Sequence, residues 1–174
     1  MNKSFKKGWY VAYTKPKHEM KIHEALSKSH ESFLPTKKTL RIWSDRKKWI
    51  KTPLFPSYIF IKINSRKEFY RVLSAEGIYN FIRCGENYSL VTEKEINFIK
   101  IIVGDEKITD LETLNSSLKV GDVVNINYGS LSGLECQIMN TKNKNKILVK
   151  IHSLRQNIIA TLPPYYLTPS SLSA

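Results

Sequence analysis

The chain carries few of the groupings that make or break covalent bonds. Its four histidines, His18, His23, His30 and His152, share no metal-ligand spacing beyond the heptad between His23 and His30. The carboxylates of the first half are scattered, whereas a nuclease needs them clustered, with a metal or a histidine base beside them. Cys84 and Cys136 lack the paired spacing of a zinc or redox site and are expected as reduced, part-buried thiols. No catalytic residue, metal site or cofactor is expected, and the chain does not read as an enzyme. Its chemistry lies in cations and aromatic rings. Lys15, Lys17, His18 and Lys21 crowd one short stretch, and Trp43 and Trp49 are interleaved with Arg41, Arg46, Lys47, Lys48 and Lys51 in another. Cations follow a phosphate backbone while aromatic faces stack on bases. The competing explanation for the tryptophans is that they pair with each other across a hairpin.

Net charge is +13, with a pI near 9.7, and its distribution matters more than its size. Fourteen Lys or Arg against four acids fall within residues 1–51, under a third of the 174-residue chain. A field concentrated in this way favours a polyanionic partner, most often nucleic acid. A lysine-rich solvated surface is the plainer alternative. With 41% hydrophobic and 11% aromatic residues the chain can bury a core, as one medium domain or two small ones. No run of eighteen apolar residues and no apolar signal core is present, so a cytoplasmic, membrane-free protein is expected, as a monomer.

These residues need elements to position them. Residues 9–14, aromatic and β-branched between Gly8 and Pro16, predict a strand. Pro16 opens a helix over 17–30, with Met20, Ile22, Ala25 and Leu26 in its apolar stripe. The cations in its first turns oppose the helix dipole, which suggests an anion nearby. Residues 40–43 and 48–51 predict a basic hairpin with a four-residue connection. Residues 58–63 alternate as a strand beginning after Pro56, with Tyr58, Phe60 and Lys62 on one face and Ile59, Ile61 and Ile63 on the other. That strand is apolar on nearly both faces, which suits a covered centre or one face kept for a partner.

Ser65 to Glu68 is a capping box opening a helix that buries Phe69, Val72 and Leu73 and ends at Gly77. Residues 78–83 predict a strand, and Thr92 to Glu95 a second capping box before a helix that stops at Gly104. The order is β-α-β-β-β-α-β-α, an α+β fold with helices on a mostly antiparallel sheet. Residues 105–117 turn acidic and polar and predict a linker. From 118 onward only strand patterns appear, as expected for a small all-β barrel.

Trp9-Tyr10-Val11-Ala12-Tyr13-Thr14-Lys15-Pro16-Lys17-His18-Glu19, Trp43-Ser44-Asp45-Arg46-Lys47-Lys48 and Pro53-Leu54-Phe55-Pro56-Ser57-Tyr58-Ile59-Phe60 together resemble the N-terminal (NGN) domain of the NusG family of transcription elongation factors. The stretch from Val120 to Ile126, followed by Gly129 to Glu135, resembles that family's KOW motif through Gly121, Asp122, Gly129 and Gly133. The first blocks most resemble the specialised UpxY and RfaH-type antiterminators. The resemblance implies a ferredoxin-like NGN domain over 1–104, a linker over 105–117 and an SH3-like KOW barrel over 118–174.

It also implies partners: RNA polymerase, through its two largest subunits, and the non-template DNA strand. A small-subunit ribosomal protein or a termination factor would dock on the KOW domain. Carried onto matching positions, the polymerase pocket comprises Tyr13, Phe55, Pro56, Tyr58 and Phe60. The nucleic-acid surface comprises Lys15, Lys17, His18, Lys21 and Arg71. One departure is plain. The His-Thr-Thr stretch that reaches the second large polymerase subunit in RfaH corresponds here to Glu68, Phe69 and Tyr70. The implied function is antitermination in a long operon for surface or capsular polysaccharide. An RNA-binding module of ribosome assembly or translation is the alternative, but it predicts basic charge over both halves, and residues 118–174 hold only six cations and two acids.

Overall fold

The computed structural model describes residues 5–114, 123–125, 135–141, 144–151, 154 and 156–162. The chain divides into two units, Met1–Glu93 and Lys94–Ala174.

In the first unit, β1 (Gly8–Thr14) lies antiparallel to β5 (Tyr58–Ile63), which takes β2 (Ser32–Phe33) on its other side. The second edge of β1 is shared by β6 (Ile78–Phe81) and β9 (Leu90–Val91). The β1–β5 register puts Tyr10 opposite Ile61 and Ala12 opposite Ile59, so their side chains share a face. That face is buried together with Ile22 and Leu26 of α1 (Glu19–Ser27) and Phe69 and Val72 of α2 (Arg66–Leu73). Each such aliphatic or aromatic side chain contributes about 1.5–3 kcal/mol by leaving water. On the opposite face Trp9, Val11 and Phe60 are also buried, whereas Tyr13 and Tyr58 remain accessible at the far end of the same two strands.

The expected strand over 78–83 is interrupted. After β6 the chain makes a two-residue hairpin, β7 (Arg83–Cys84) with β8 (Asn87–Tyr88), then returns to β1 as β9. Ile82 N–H donates to Val11 O at 2.8 Å and Ser89 N–H to Ile82 O at 2.9 Å, so the return needs no continuous strand. Cys84, expected part-buried, is exposed on that hairpin. The basic hairpin is longer than predicted: β3 (Thr36–Ile42) and β4 (Lys47–Pro53) form a separate two-stranded ribbon.

Helix α1 starts two residues later than Pro16 suggested. Lys17 takes a left-handed φ of 64° and His18 N–H bonds back to Lys15 O at 3.2 Å, so Pro16 and Lys17 complete a turn. Half of the Ser65 capping box forms as predicted, with Ser65 Oγ accepting from Glu68 N–H at 3.2 Å, while Glu68 Oε2 accepts from the N–H of Asn64, one residue before the cap, at 2.8 Å.

α3 (Glu93–Gly104) buries Ile96, Phe98, Ile99 and Ile102 and ends at Gly104, where the sequence pattern stopped it. In the second unit, strands β10 (Thr109–Leu114), β14 (Gln156–Thr161), β13 (Lys144–Ile151), β12 (Glu135–Thr141) and β11 (Val123–Asn125) lie in that order, each antiparallel to the next. β10 falls where a linker was expected. It is irregular: Asp110 is left-handed at φ 52°, and the register with β14 shifts between Thr109 and Glu112. That break hides the alternation a sequence reading depends on. Gly121, Asp122, Gly129, Gly133, His152 and Arg155 lie outside the described residues.

Candidate functional site: the aromatic and basic end of the sheet

The C-terminal end of β1 gathers three tyrosines. Tyr13 meets Tyr58 edge-on at 6.1 Å between ring centroids and Tyr79 at 5.7 Å. Tyr13 is 39% exposed and Tyr79 57%, while Tyr58 is half-buried. Pro56, in the turn before β5, is exposed beside Tyr58 in the chain.

That turn is held from several sides. Ser57 adopts φ 64°, a strained geometry for a residue with a Cβ. Its N–H donates to Glu19 Oε1 at 2.8 Å, and its carbonyl accepts from Thr14 N–H at 2.8 Å. Leu54 N–H bonds to Pro35 O at 2.8 Å. These bonds set where β5 begins, and so where Tyr58 stands relative to Tyr13.

Two residues expected on the partner-facing surface are covered. Phe55 and Phe60 are 1% and 0% exposed. Phe60 lies between Phe55 at 5.7 Å and Phe33 at 6.0 Å, so its ring forms core beneath the surface. Tyr79 was missed by sequence reasoning. Strict alternation through 78–81 groups Tyr79 with Phe81, but Tyr13 pairs with Asn80 and Thr14 with Ile78, making Tyr79 the extra residue of a bulge. Gly77, two residues before it, is the hint the sequence offers. Its φ of 84° strains any residue with a Cβ, and a Cβ there would come within 2.7 Å of Ile22 Cδ1, which would have to shift.

The cations lie beside this end. Lys15 N–H donates to Gly77 O at 2.8 Å, tying the residue after β1 to the turn before β6. Lys15, Lys17 and Lys21 are exposed, and none enters an ion pair among the described residues. His18 is half-buried with Nδ1 3.0 Å from Pro16 O. Arg71 is exposed in the last turn of α2, next to Tyr70. Of the trio Glu68, Phe69 and Tyr70, Glu68 is spent on the helix cap and Phe69 is core, leaving Tyr70 at 61% exposure.

Lys62 stands apart from the basic surface. It bridges Glu93 at 3.0 Å and Glu31 at 3.4 Å and lies 5.7 Å from the Trp9 ring. Its ammonium is held above the ordinary lysine range, first by the hydrogen bond to Glu93. His23, whose Nδ1 is 2.7 Å from Ser32 Oγ, is pushed below the ordinary histidine value by burial. Among the described residues no three His, Cys, Asp or Glu side chains cluster as a metal site, and no helix is long and apolar enough to cross a membrane.

The family described as transcription termination factor nusG matches residues 7–100. The transcription termination/antitermination protein NusG of Streptococcus pyogenes is 24% identical over 176 residues, covering 93% of this chain and 96% of that protein. Its Lactococcus lactis counterpart is 28% identical over 149 residues, 78% of each chain. A solved structure of Thermotoga maritima NusG superposes with a TM-score of 0.56 at 22% identity, covering 90% of this chain and 94% of that one.

Proposed function

Because the chain belongs to the NusG family of transcription termination and antitermination factors, we propose that it is a non-catalytic factor that binds elongating RNA polymerase and suppresses pausing and termination. The observation that carries this reading is the accessible cluster of Tyr13, Pro56, Tyr58 and Tyr79 bordered by the cations Lys15, Lys17 and Lys21. Tyrosines on a rigid strand end are favoured anchors at protein interfaces, because little conformational freedom is lost on binding.

On this reading the polymerase clamp region seats on Tyr13, Pro56 and Tyr58, with Phe55 and Phe60 as the buried floor that fixes their height. Lys15, Lys17, His18 and Lys21, with Arg71 at the margin, contact the non-template DNA strand of the open bubble. The polymerase-binding domain spans 1–104. Residues 118–174, with β10 added from the expected linker, form a KOW-type barrel that docks a ribosomal protein or a termination factor. The UpxY and RfaH resemblance makes the served operon one for surface or capsular polysaccharide.

The test is transcription by purified core RNA polymerase on a template with defined pause and termination sites. Addition of the full chain is expected to shorten pauses and increase read-through. Unchanged pausing and termination together with binding of ribosomal particles would replace this reading with the translation one.

A further inference from the structure

Three turns meet at the C-terminal end of β1, and each carries part of the surface described above. Residues 15–18 present Lys15 and Lys17, residues 55–58 lead into Tyr58, and residues 75–78 lead into Tyr79. Each turn holds one left-handed residue: Lys17 at φ 64°, Ser57 at φ 64° and Gly77 at φ 84°. Glycine adopts this form freely, but Lys17 and Ser57 carry a Cβ that it presses against the following carbonyl. Such conformations persist only where the surroundings fix them, and they gather at binding and switching sites.

The surroundings here are the other turns. Thr14 N–H donates to Ser57 O at 2.8 Å, Lys15 N–H to Gly77 O at 2.8 Å, and Ser57 N–H to Glu19 Oε1 at 2.8 Å. Thr14 and Glu19 flank the basic turn, so Ser57 spends both of its backbone groups on holding that turn closed. The Thr14 hydroxyl is buried without a hydrogen-bond partner among the described residues, which leaves the Glu19 carboxylate as the side chain that carries the link. Rotation of Ser57 out of the left-handed form breaks its bonds to both residues. Rotation of Lys17 moves Glu19 away from Thr14, and so away from Ser57. The two turns therefore keep or lose their strained form together. Glu19 is 5% exposed and Ser57 9%, so water does not compete for their bond.

We propose that Glu19 is a positioning residue that couples the two surfaces, so that the DNA strand held at Lys15, Lys17 and Lys21 and the polymerase held at Tyr58 tighten each other's binding. The inference rests on the function proposed above. A strand seated against the Lys17 turn favours, through Glu19, the left-handed Ser57 that sets the start of β5. A partner on Tyr58 favours the Lys17 turn through the same bond, because coupling between two binding equilibria is reciprocal.

The test is fluorine NMR of the full chain carrying fluorotyrosine, titrated with oligo-dT, with the Tyr58 signal assigned by Tyr58→Phe. That signal is expected to shift, and to saturate at the dissociation constant that fluorescence anisotropy gives for the same oligonucleotide. Glu19→Ala should still bind oligo-dT but lose the shift. Glu19→Gln, which keeps a carbonyl acceptor, should restore it. Ser57→Gly reaches φ 64° without strain or support, so it should fold, bind oligo-dT and lose the shift. A role for Glu19 in stability alone would leave the shift in place, and Ser57→Gly decides the matter if Glu19→Ala does not fold. No Tyr58 shift with oligo-dT bound, or a shift that survives in Ser57→Gly, would overturn the coupling and leave the two surfaces as assigned. Oligo-dT binding untouched by the Lys15/Lys17/Lys21→Ala triple would overturn the DNA surface, and the coupling with it.

Discussion

The Glu19 carboxylate, at the first position of α1, accepts the backbone N–H of Ser57 at 2.8 Å, and both residues are buried. An acid in a first helical turn is ordinarily explained by the helix dipole. Here it also ties the helix to the turn that launches β5. The basic surface begins at Lys15 and Lys17, and the aromatic surface at Tyr58. Glu19 joins the two.

Replacing Glu19 by Ala leaves a buried N–H without its partner, and the left-handed Ser57 without one of its supports. A loss of about 1–3 kcal/mol in folding stability is expected. Glu19→Gln keeps a carbonyl acceptor and should retain most of it. Chemical denaturation of the three proteins measures the difference; equal losses for Ala and Gln would show that the hydrogen bond is not what matters.

Phe55 and Tyr79 should behave oppositely, one as buried floor and the other as exposed surface. Phe55→Ala removes a buried ring and is expected to cost about 3–5 kcal/mol of stability. Tyr79→Ala, at an exposed bulge, is expected to change stability by less than about 0.5 kcal/mol. Thermal melting of the two variants side by side checks this separation of floor from surface.

The cations flanking the aromatic end have an ionic-strength signature. Alanine at Lys15, Lys17 and Lys21 together should reduce the salt slope of single-stranded DNA binding by about 2 if each lysine meets one phosphate. An unaltered slope in a titration across salt concentrations would locate the contact elsewhere.

His23 makes stability depend on pH. Burial disfavours its imidazolium, so the folded protein binds that proton less readily than the unfolded chain does. Its contribution is therefore complete above the ordinary histidine value of about 6.5 and is lost as pH falls below it. Denaturation at pH 7.5 and pH 5.5 should show a drop in stability that shrinks in His23→Gln. An equal drop in both proteins would assign it to other groups.

How far the sequence reveals this arrangement depends on regularity. The two faces of β5 were legible because Ile59, Ile61 and Ile63 alternate with Tyr58, Phe60 and Lys62 without interruption. The Ser65 cap was legible because its residues are adjacent in the chain. Burial of Phe55 and Phe60 was not, since an apolar face looks alike whether it meets core or partner. Tyr79 was hidden by a bulge and β10 by the left-handed Asp110, each of which breaks the period of two. The role of Glu19 was not legible, because its partner lies 38 residues away.

The central claim is that the tyrosine cluster is a polymerase-binding surface. Its most direct test is equilibrium binding of the full chain to purified core RNA polymerase, compared with a Tyr13→Ala, Tyr58→Ala double variant of unchanged circular dichroism. A stable wild-type complex, crosslinked to the two largest subunits, and an affinity at least about tenfold weaker in the variant are expected. Equal affinity of the two proteins, or no complex with the wild type, would contradict it.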